Sequence, residues 1–292
     1  MPSLAPPEYL VVGHLCLDVP PASGGGRSAA PAEGEALGGT AAYAALTARA
    51  LGLGPSIVTA AAADLDLSPL AGIPIHRLAS ETTTRFVNDS DGDRRRQRLL
   101  GRGRQISADD VPAAWRGASI VHLAPIAGEV DAALIDLFPD NELLGLTPQG
   151  WMRRWDETGS VSPQAWSLPA TARRSPDVVI VSLEDVGCDE SLVEDLAAAC
   201  RLLVVTEGSR GARVYWNGDV RRVPASPVEP VDPTGAGDIF AAAFLIRYQR
   251  TRDPWEAARF ANGLAAASVG RRGLDGVPTA DEVARAEMVW VR

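Results

Sequence analysis

The sequence predicts an α/β fold built on a mostly parallel sheet, and three observations carry that prediction. After residue 105, short apolar runs alternate with longer helix-patterned runs, the order that lays strands side by side with helices across their faces. At 292 residues the chain is long enough to bury one large core. A Gly-rich turn, "VDPTGAGD", stands where a strand hands over to a helix, the place at which such sheets bind ligands.

The elements follow in order. Residues 9–13, "YLVVG", read as a short buried strand. Residues 20–36, "PPASGGGRSAAPAEGEA", are loop or loose edge. Residues 39–52, small and apolar, predict a tightly packed helix stopping at Gly52, and "SIVTA" (56–60) is the next strand. Between 75 and 100, "IHRLA", "TTTRFVN" and "RRRQRLL" alternate polar and apolar residues, with "DSDGD" as a turn between the last two. That pattern predicts antiparallel hairpins with one face in water. "SIVHLAP" is a strand and "EVDAALIDLF" a helix; "ELLGLTP" is a strand followed by an irregular Trp-rich stretch. "DVVIVSLED", "DESLVEDLAAAC" and "RLLVVTEG" read as strand, helix and strand. "ARVYWNGDVRRVP" is a hairpin turning on Asn217-Gly218. Helices at 234–250, 254–270 and 279–288 follow. Residues 1–292 read as a single domain carrying a small β lid from about 19–37 and 75–104, without internal repeats.

Composition removes several classes. A net charge of −9 argues against a nucleic-acid surface. No apolar run is long enough for a bilayer, and "MPSLAPPEYLVVGHL" lacks the pattern of a signal peptide, so the cytoplasm is the expected location. Cys16, Cys188 and Cys200 show no CxxC spacing and His14, His76 and His122 are scattered, which suits buried residues better than disulfide or metal ligands. The basic residues are all Arg. P-loop enzymes, eukaryotic-type protein kinases, PLP enzymes and Schiff-base aldolases each need a Lys, and all are excluded.

The chemistry concentrates in "VDPTGAGDIFAAAF". The backbone N–H groups of Gly235, Ala236 and Gly237 open a helix and have no acceptors within it, so they form an anion site aided by the helix dipole. Asp238 places a carboxylate beside that site. One reading is a helix cap; the other is a general base next to a phosphate cradle.

"DPTGAGDIFAAAF" closely resembles the C-terminal signature of the ribokinase-like (pfkB-type) carbohydrate kinases, DTxGAGDxFxxG/AF. "VVGHLCLDV", "GGTAAYAALTARALG", "TEGSRGARVYWNG" and "ANGLAAASVGRRG" resemble further family segments in the family's order, so the resemblance spans nearly the whole chain. It implies a three-layer αβα sandwich with a mostly parallel central sheet and a small β lid. It implies ATP-dependent phosphorylation of a hydroxyl on a small polyol, sugar or nucleoside, with Mg²⁺ bridging the ATP phosphates. Carried over by residue, Asp238 becomes the catalytic base, and Gly235, Ala236 and Gly237 the anion hole. Asp232 and Thr234 hold the turn near the phosphates. Asp18, Gly38 and Gly39 meet the substrate; Thr206, Gly208, Ser209 and Gly211 follow the ATP phosphates and ribose. Asn262 lies near the adenine or is simply a polar helix-face residue.

Three departures qualify the match. Pro233 replaces a Thr, which suits a turn. The family's magnesium-linked N-x-x-E becomes "SLED", with Ser182 for Asn and Asp185 for Glu; Asp185 still reaches Mg²⁺ through water, or Glu184 takes its place. Tyr43 stands where many sugar kinases carry Asn. "GGTAAYAA", "DGDRRRQRLLG" and "LTPQGWMRRWDETGSV" resemble the branch containing plant-type myo-inositol kinases, with Gln149 and Arg153 as its Gln-x-x-x-Arg pair. Arg153 then lies near the transferred phosphate or the lid, or is a solvated loop residue. The arginines at 94–96, 98, 102 and 104 read mainly as a solvated hairpin face. The expected acceptor is myo-inositol or a related cyclitol. Adenosine-type nucleosides, furanoses and a non-catalytic sugar sensor stay open, as does pairing of two copies.

Overall fold

The computed structural model describes residues 5–20, 34–91, 94–138, 143–170 and 172–288. In chain order its strands and helices are β1 (Tyr9–Val12), β2 (Cys16–Val19), β3 (Ala36–Gly38), α1 (Thr40–Ala50), β4 (Pro55–Ala61), β5 (Ile75–Ala79), β6 (Thr84–Asp91), β7 (Arg94–Gly101), β8 (Ile120–Leu123), β9 (Leu143–Leu146), β10 (Arg153–Trp155), β11 (Val161–Pro163), β12 (Val178–Ser182), α2 (Glu190–Ala199), β13 (Leu202–Thr206), β14 (Ala212–Trp216), β15 (Asp219–Val223), α3 (Ala236–Thr251), α4 (Pro254–Ser268) and α5 (Ala280–Met288). Nine strands form the central sheet in the order β15-β14-β13-β12-β9-β8-β1-β4-β5. From β13 to β5 every pairing is parallel, and the β14–β15 hairpin closes one edge antiparallel.

Alternation along the strands sorts the core into two layers, because successive side chains leave a strand on opposite faces. Tyr9, Val11 and Ile57 face α1, α3 and α4, where Ala41, Ala45, Phe240 and Phe244 are buried. Leu10, Val12 and Val58 face the opposite layer, which holds Trp115, Ile135, Phe138 and the Val193 and Leu196 side of α2. Small residues let the first layer lie close: a Cβ on Gly145 of β9 would stand 2.4 Å from the Leu245 side chain of α3.

A separate four-stranded sheet, β3-β2-β6-β7, forms the lid. Two expectations change here. Residues 75–79 do not join the lid hairpins; β5 pairs in parallel with β4 at the edge of the central sheet. Its alternating pattern is that of an edge strand with one wet face, which pattern alone does not separate from a hairpin. Residues 129–138 form no full helix. Glu129 and Asp131 exchange backbone bonds with Ile106, which keeps 129–131 extended, and only the turn Ala132–Asp136 is helical, capped by the Asp131 carboxylate. Residues 21–33, also expected near the lid, lie outside the described residues. No helix of the described residues is long and apolar enough to cross a membrane.

Candidate active site

The chain order reverses between β8 and β1, so a crevice opens beyond their carboxyl ends, where doubly wound sheets bind ligands. A cleft of about 750 Å³ lies between the small sheet and the body, its walls including Asp18, Tyr43, Asn88, Asp232, Thr234 and Arg272.

Asp18 comes from the lid strand β2. Its Oδ1 accepts a hydrogen bond from Asn88 Nδ2 of β6 at 2.7 Å, and Asn88 Oδ1 accepts one from Gln97 Nε2 of β7 at 2.8 Å. Gly38 must be bare: a Cβ there would stand 2.4 Å from Asp18 Oδ2, and one on Gly39 would stand 2.7 Å from the His14 carbonyl oxygen. The backbone of the Gly-Gly pair is thus pressed against β2, which carries Asp18, and the turn before it.

Asp238 sits in the first turn of α3, and its Oδ1 accepts a hydrogen bond from Thr40 Oγ1 at 2.7 Å. The preceding turn is shaped by Asp232, whose carboxylate accepts from the N–H groups of Thr234 (2.9 Å) and Gly273 (3.0 Å). Gly235 takes φ +81°, a left-handed conformation natural to glycine, and its Cα rests on the Tyr43 ring so closely that a Cβ would stand 2.3 Å from it. The expected anion donors are not equivalent. Ala236 N–H donates to the Pro233 carbonyl at 3.2 Å, while no protein acceptor is found among the described residues for the N–H groups of Gly235 and Gly237. Beside Gly237 a Cβ would meet nothing within 4 Å. The result is an open, donor-lined pocket at a helix N-terminus, the arrangement that receives a phosphate.

Charge converges on this place. Burial, then the charges of Asp238, Asp18 and Asp232, push the Tyr43 hydroxyl well above its usual range. Burial also raises the Cys16 thiol, and Asp18, Asp238 and Glu129 add to it. Glu129, fully buried, accepts hydrogen bonds from the N–H groups of His14, Ile126 and Ala127. It thereby ties the turn after β1 to the turn after β8.

The remaining expected residues fall into two groups. Gln149 Nε2 donates to Asp185 Oδ1 at 3.1 Å, and Asp185 Oδ2 accepts from the Ser182 N–H at 3.0 Å, so the "SLED" turn closes on itself. Arg153 donates to the Ile126 carbonyl at 3.1 Å, with its guanidinium 5.8 Å from the Phe86 ring of the lid. The described residues contain no group of three or more His, Cys, Asp or Glu able to chelate a metal. Asp185 fits Mg²⁺ only as an outer partner, which suits an ion that keeps several waters. On the far side, Thr206, Gly208, Ser209 and Gly211 form the β13–β14 loop, closed by Glu207 N–H to the Gly211 carbonyl at 2.7 Å. Asn262 is buried in α4 and donates to the Val223 carbonyl at 2.9 Å.

Sequence reasoning missed Thr40, Asn88, Gln97 and Glu129. A hydroxyl opening an Ala-rich helix, and the period-two position of Asn88 in "TTTRFVN", were the available signals.

Comparison with known proteins bears on the family and the fold. Residues 170–280 match the pfkB family carbohydrate kinases. The chain is 30% identical over 292 aligned positions to inositol 3-kinase of Oryza sativa, covering 94% of this chain and 70% of that protein. It is 27% identical over 267 positions to cytidine kinase of Thermococcus kodakarensis, covering 86% and 92%. A solved pyrophosphate-dependent kinase of the ribokinase family, complexed with a pyrophosphate analog and myo-inositol, superposes with a TM-score of 0.78 at 19% identity, covering 95% of this chain and 99% of that one. With a ribokinase-type sheet, a lid and relatives that are kinases along their length, the chain belongs to the pfkB family of carbohydrate kinases.

Proposed function

We propose that this kinase transfers the terminal phosphoryl group of ATP to a hydroxyl of a small polyol, with myo-inositol or a related cyclitol as the preferred acceptor. The observation that carries the reading is Asp238 on the first turn of α3, beside the open N–H groups of Gly235 and Gly237 and shortly beyond the cleft-lining Thr234. The acceptor oxygen attacks the γ-phosphorus, its proton passes to the Asp238 carboxylate, and the bond from phosphorus to the ADP oxygen breaks. Gly235 and Gly237 N–H groups, with the dipole of α3, meet the charge on the phosphoryl oxygens. Mg²⁺, when bound, neutralises the phosphates; Asp185 would hold it through water. Asp18, oriented by Asn88, grips neighbouring hydroxyls, and the Tyr43 ring covers an apolar ring face. Closure of the lid excludes water and suppresses hydrolysis of the donor.

The cleft also favours a second reading. Its volume of about 750 Å³ and its apolar lining by Val19, Leu37, Val231 and Leu274 leave room for a base, as a nucleoside acceptor requires. The test is kcat/KM for myo-inositol, ribose, fructose, adenosine and cytidine, each with ATP and with pyrophosphate as donor, in wild type and Asp238→Asn. The expected result is preference for myo-inositol with ATP, and a kcat lower by roughly 10²–10⁴-fold in the variant. A preference for a nucleoside overturns the cyclitol assignment. Retained turnover in Asp238→Asn removes that residue from the mechanism, and no transfer to any acceptor leaves a sugar sensor.

A further inference from the structure

We infer that Thr40 is the positioning residue of the phosphoryl-transfer base. The inference rests on the assignment of Asp238 proposed above. Thr40 is the first residue of α1 and is 3% exposed. Its hydroxyl caps no helix end: the N-terminus of α1 has no side-chain cap, and the Oγ1 proton goes instead across 198 positions of sequence to Asp238 Oδ1, at 2.7 Å. A Thr opening an Ala-rich helix has no need of its hydroxyl for helix stability. Burying a hydroxyl without a partner is costly, so the bond to Asp238 accounts for its presence.

The consequences are geometric and electrostatic. The α3 turn alone leaves the Asp238 side chain its rotamers; a donor fixed on another helix selects one of them and aligns the carboxylate plane. Thr40 itself is held by its neighbours, since Gly39 is clamped against the His14 carbonyl and Tyr43, one turn on, packs under Gly235. The hydroxyl therefore registers α1, which directly follows the Gly38-Gly39 pair, against α3, which carries the base. A hydrogen bond to the charged form of a carboxylate also favours that form, so Thr40 keeps Asp238 ionised to lower pH than it would otherwise be.

Other ionisable groups act on the same region. They are Asp18 and Cys16 of β2, Tyr9 of β1, Tyr43 of α1, Asp232 before the turn, Glu129 below it and Arg153 of β10. Tyr9, Cys16 and Tyr43 titrate above their usual values while burial lowers His14, so an acid limb in the rate profile can be shared by His14 and the carboxylates. A difference between wild type and a Thr40 variant isolates the carboxylate that Thr40 touches.

The experiment is the pH dependence of kcat and kcat/KM, with the ATP-dependent transfer assay, for wild type, Thr40→Val, Thr40→Ser and Asp238→Asn. Thr40→Val keeps the shape and removes the proton donor; should it fail to fold, Thr40→Ala carries the same comparison. We expect kcat to fall about 10-fold, the KM for ATP to stay within about 2-fold, and the acid limb of kcat/KM to move up by about 1 pH unit. Thr40→Ser, which retains the hydroxyl, restores both. An inactive Asp238→Asn together with an unmoved acid limb and kcat in Thr40→Val overturns the role of Thr40 alone. So does a Thr40→Ser variant as impaired as Thr40→Val. An active Asp238→Asn overturns the prior assignment instead.

Discussion

The two regions proposed as walls of the site are held together in different ways. Around Asp18 and Asp238 the polar groups reach across the molecule: Thr40 of α1 to Asp238 of α3, Asn88 of β6 to Asp18 of β2, Gln97 of β7 to Asn88. Around Gly211 short-range backbone bonds close the loop and longer-range bonds anchor it. Gly211 N–H returns to the Gly208 carbonyl, Glu207 N–H to the Gly211 carbonyl, and Asn262 holds Val223 at the end of the adjoining hairpin. Ion pairs sew that wall further, with Arg213 between Glu207 (2.6 Å) and Glu190 (2.8 Å). The first wall rests on contacts between elements, and the second adds such contacts to a loop that closes on its own backbone. The difference teaches where specificity can vary. A wall made of long-range contacts changes with any of several elements, while a loop that also closes on its own backbone tolerates fewer changes.

The largest expected effect breaks the first wall. Gly235→Ala forces a side chain onto a left-handed backbone and into the Tyr43 ring, and should destabilise the protein by roughly 3 kcal/mol or more with loss of transfer. Its neighbour sharpens the point. At Gly237 a Cβ meets nothing within 4 Å, so Gly237→Val should melt within a few degrees of wild type yet lose turnover, because the methyl groups fill the space above the open N–H groups. Thermal melts beside kcat measurements separate the two. Equal melting temperatures would show that the Tyr43 packing does not constrain Gly235.

Next is the second wall. In Gly211, with φ +93°, a Cβ would stand 2.0 Å from the Val223 carbonyl oxygen and 2.6 Å from the Ala225 nitrogen, both backbone atoms that cannot swing aside. Gly211→Ala should cost about 2–4 kcal/mol by denaturant melts and raise the KM for ATP while leaving the acceptor KM within about 2-fold. A rise in the acceptor KM instead would show that the walls are not independent.

A further effect, spread over pH, concerns the core. His122 is fully buried between Tyr9 Oη (2.7 Å) and Thr147 Oγ1 (2.9 Å), and burial lowers its pKa from 6.5 to about 3. The folded protein keeps it neutral, so the unfolded chain binds the extra proton. Stability present above pH 6.5 is then lost as pH falls toward 3, by about 1.4 kcal/mol per pH unit. His122→Gln should flatten that part of the urea-melt profile; an unchanged slope would assign acid sensitivity elsewhere, for example to His14, which burial also lowers.

The same contrast explains what could be read before any coordinates. The parallel sheet was legible because strand-then-helix rhythm is local, and the Gly-rich turn was legible because its conformation is written in adjacent residues. The β5 strand was assigned to the wrong sheet because alternation reports one wet face and not the partner. The shortened helix at Ala132–Asp136 has a similar cause: Glu129 reads as a helix former, and its burial on the N–H groups of His14, Ile126 and Ala127 is a tertiary fact. Gly211 and Asn262 stood out in sequence as residues along a nucleotide, and each is also fully employed by packing against the hairpin. Thr40, Asn88 and Gln97 went unnoticed because their partners lie on other elements.

For protein engineering, the contact between the Tyr43 ring and Gly235 means that position 43 is epistatic with the phosphate turn. A saturation library at Tyr43 aimed at new acceptors would mix two phenotypes, altered pocket shape and an unsupported turn, and most small replacements would be discarded in screening as dead rather than as re-specified. Asn88, on a lid strand and in contact with Asp18, lines the cleft away from the Tyr43–Gly235 contact, so under the proposed function diversity introduced there, with Gln97 varied jointly, is the better place to sample acceptor choice.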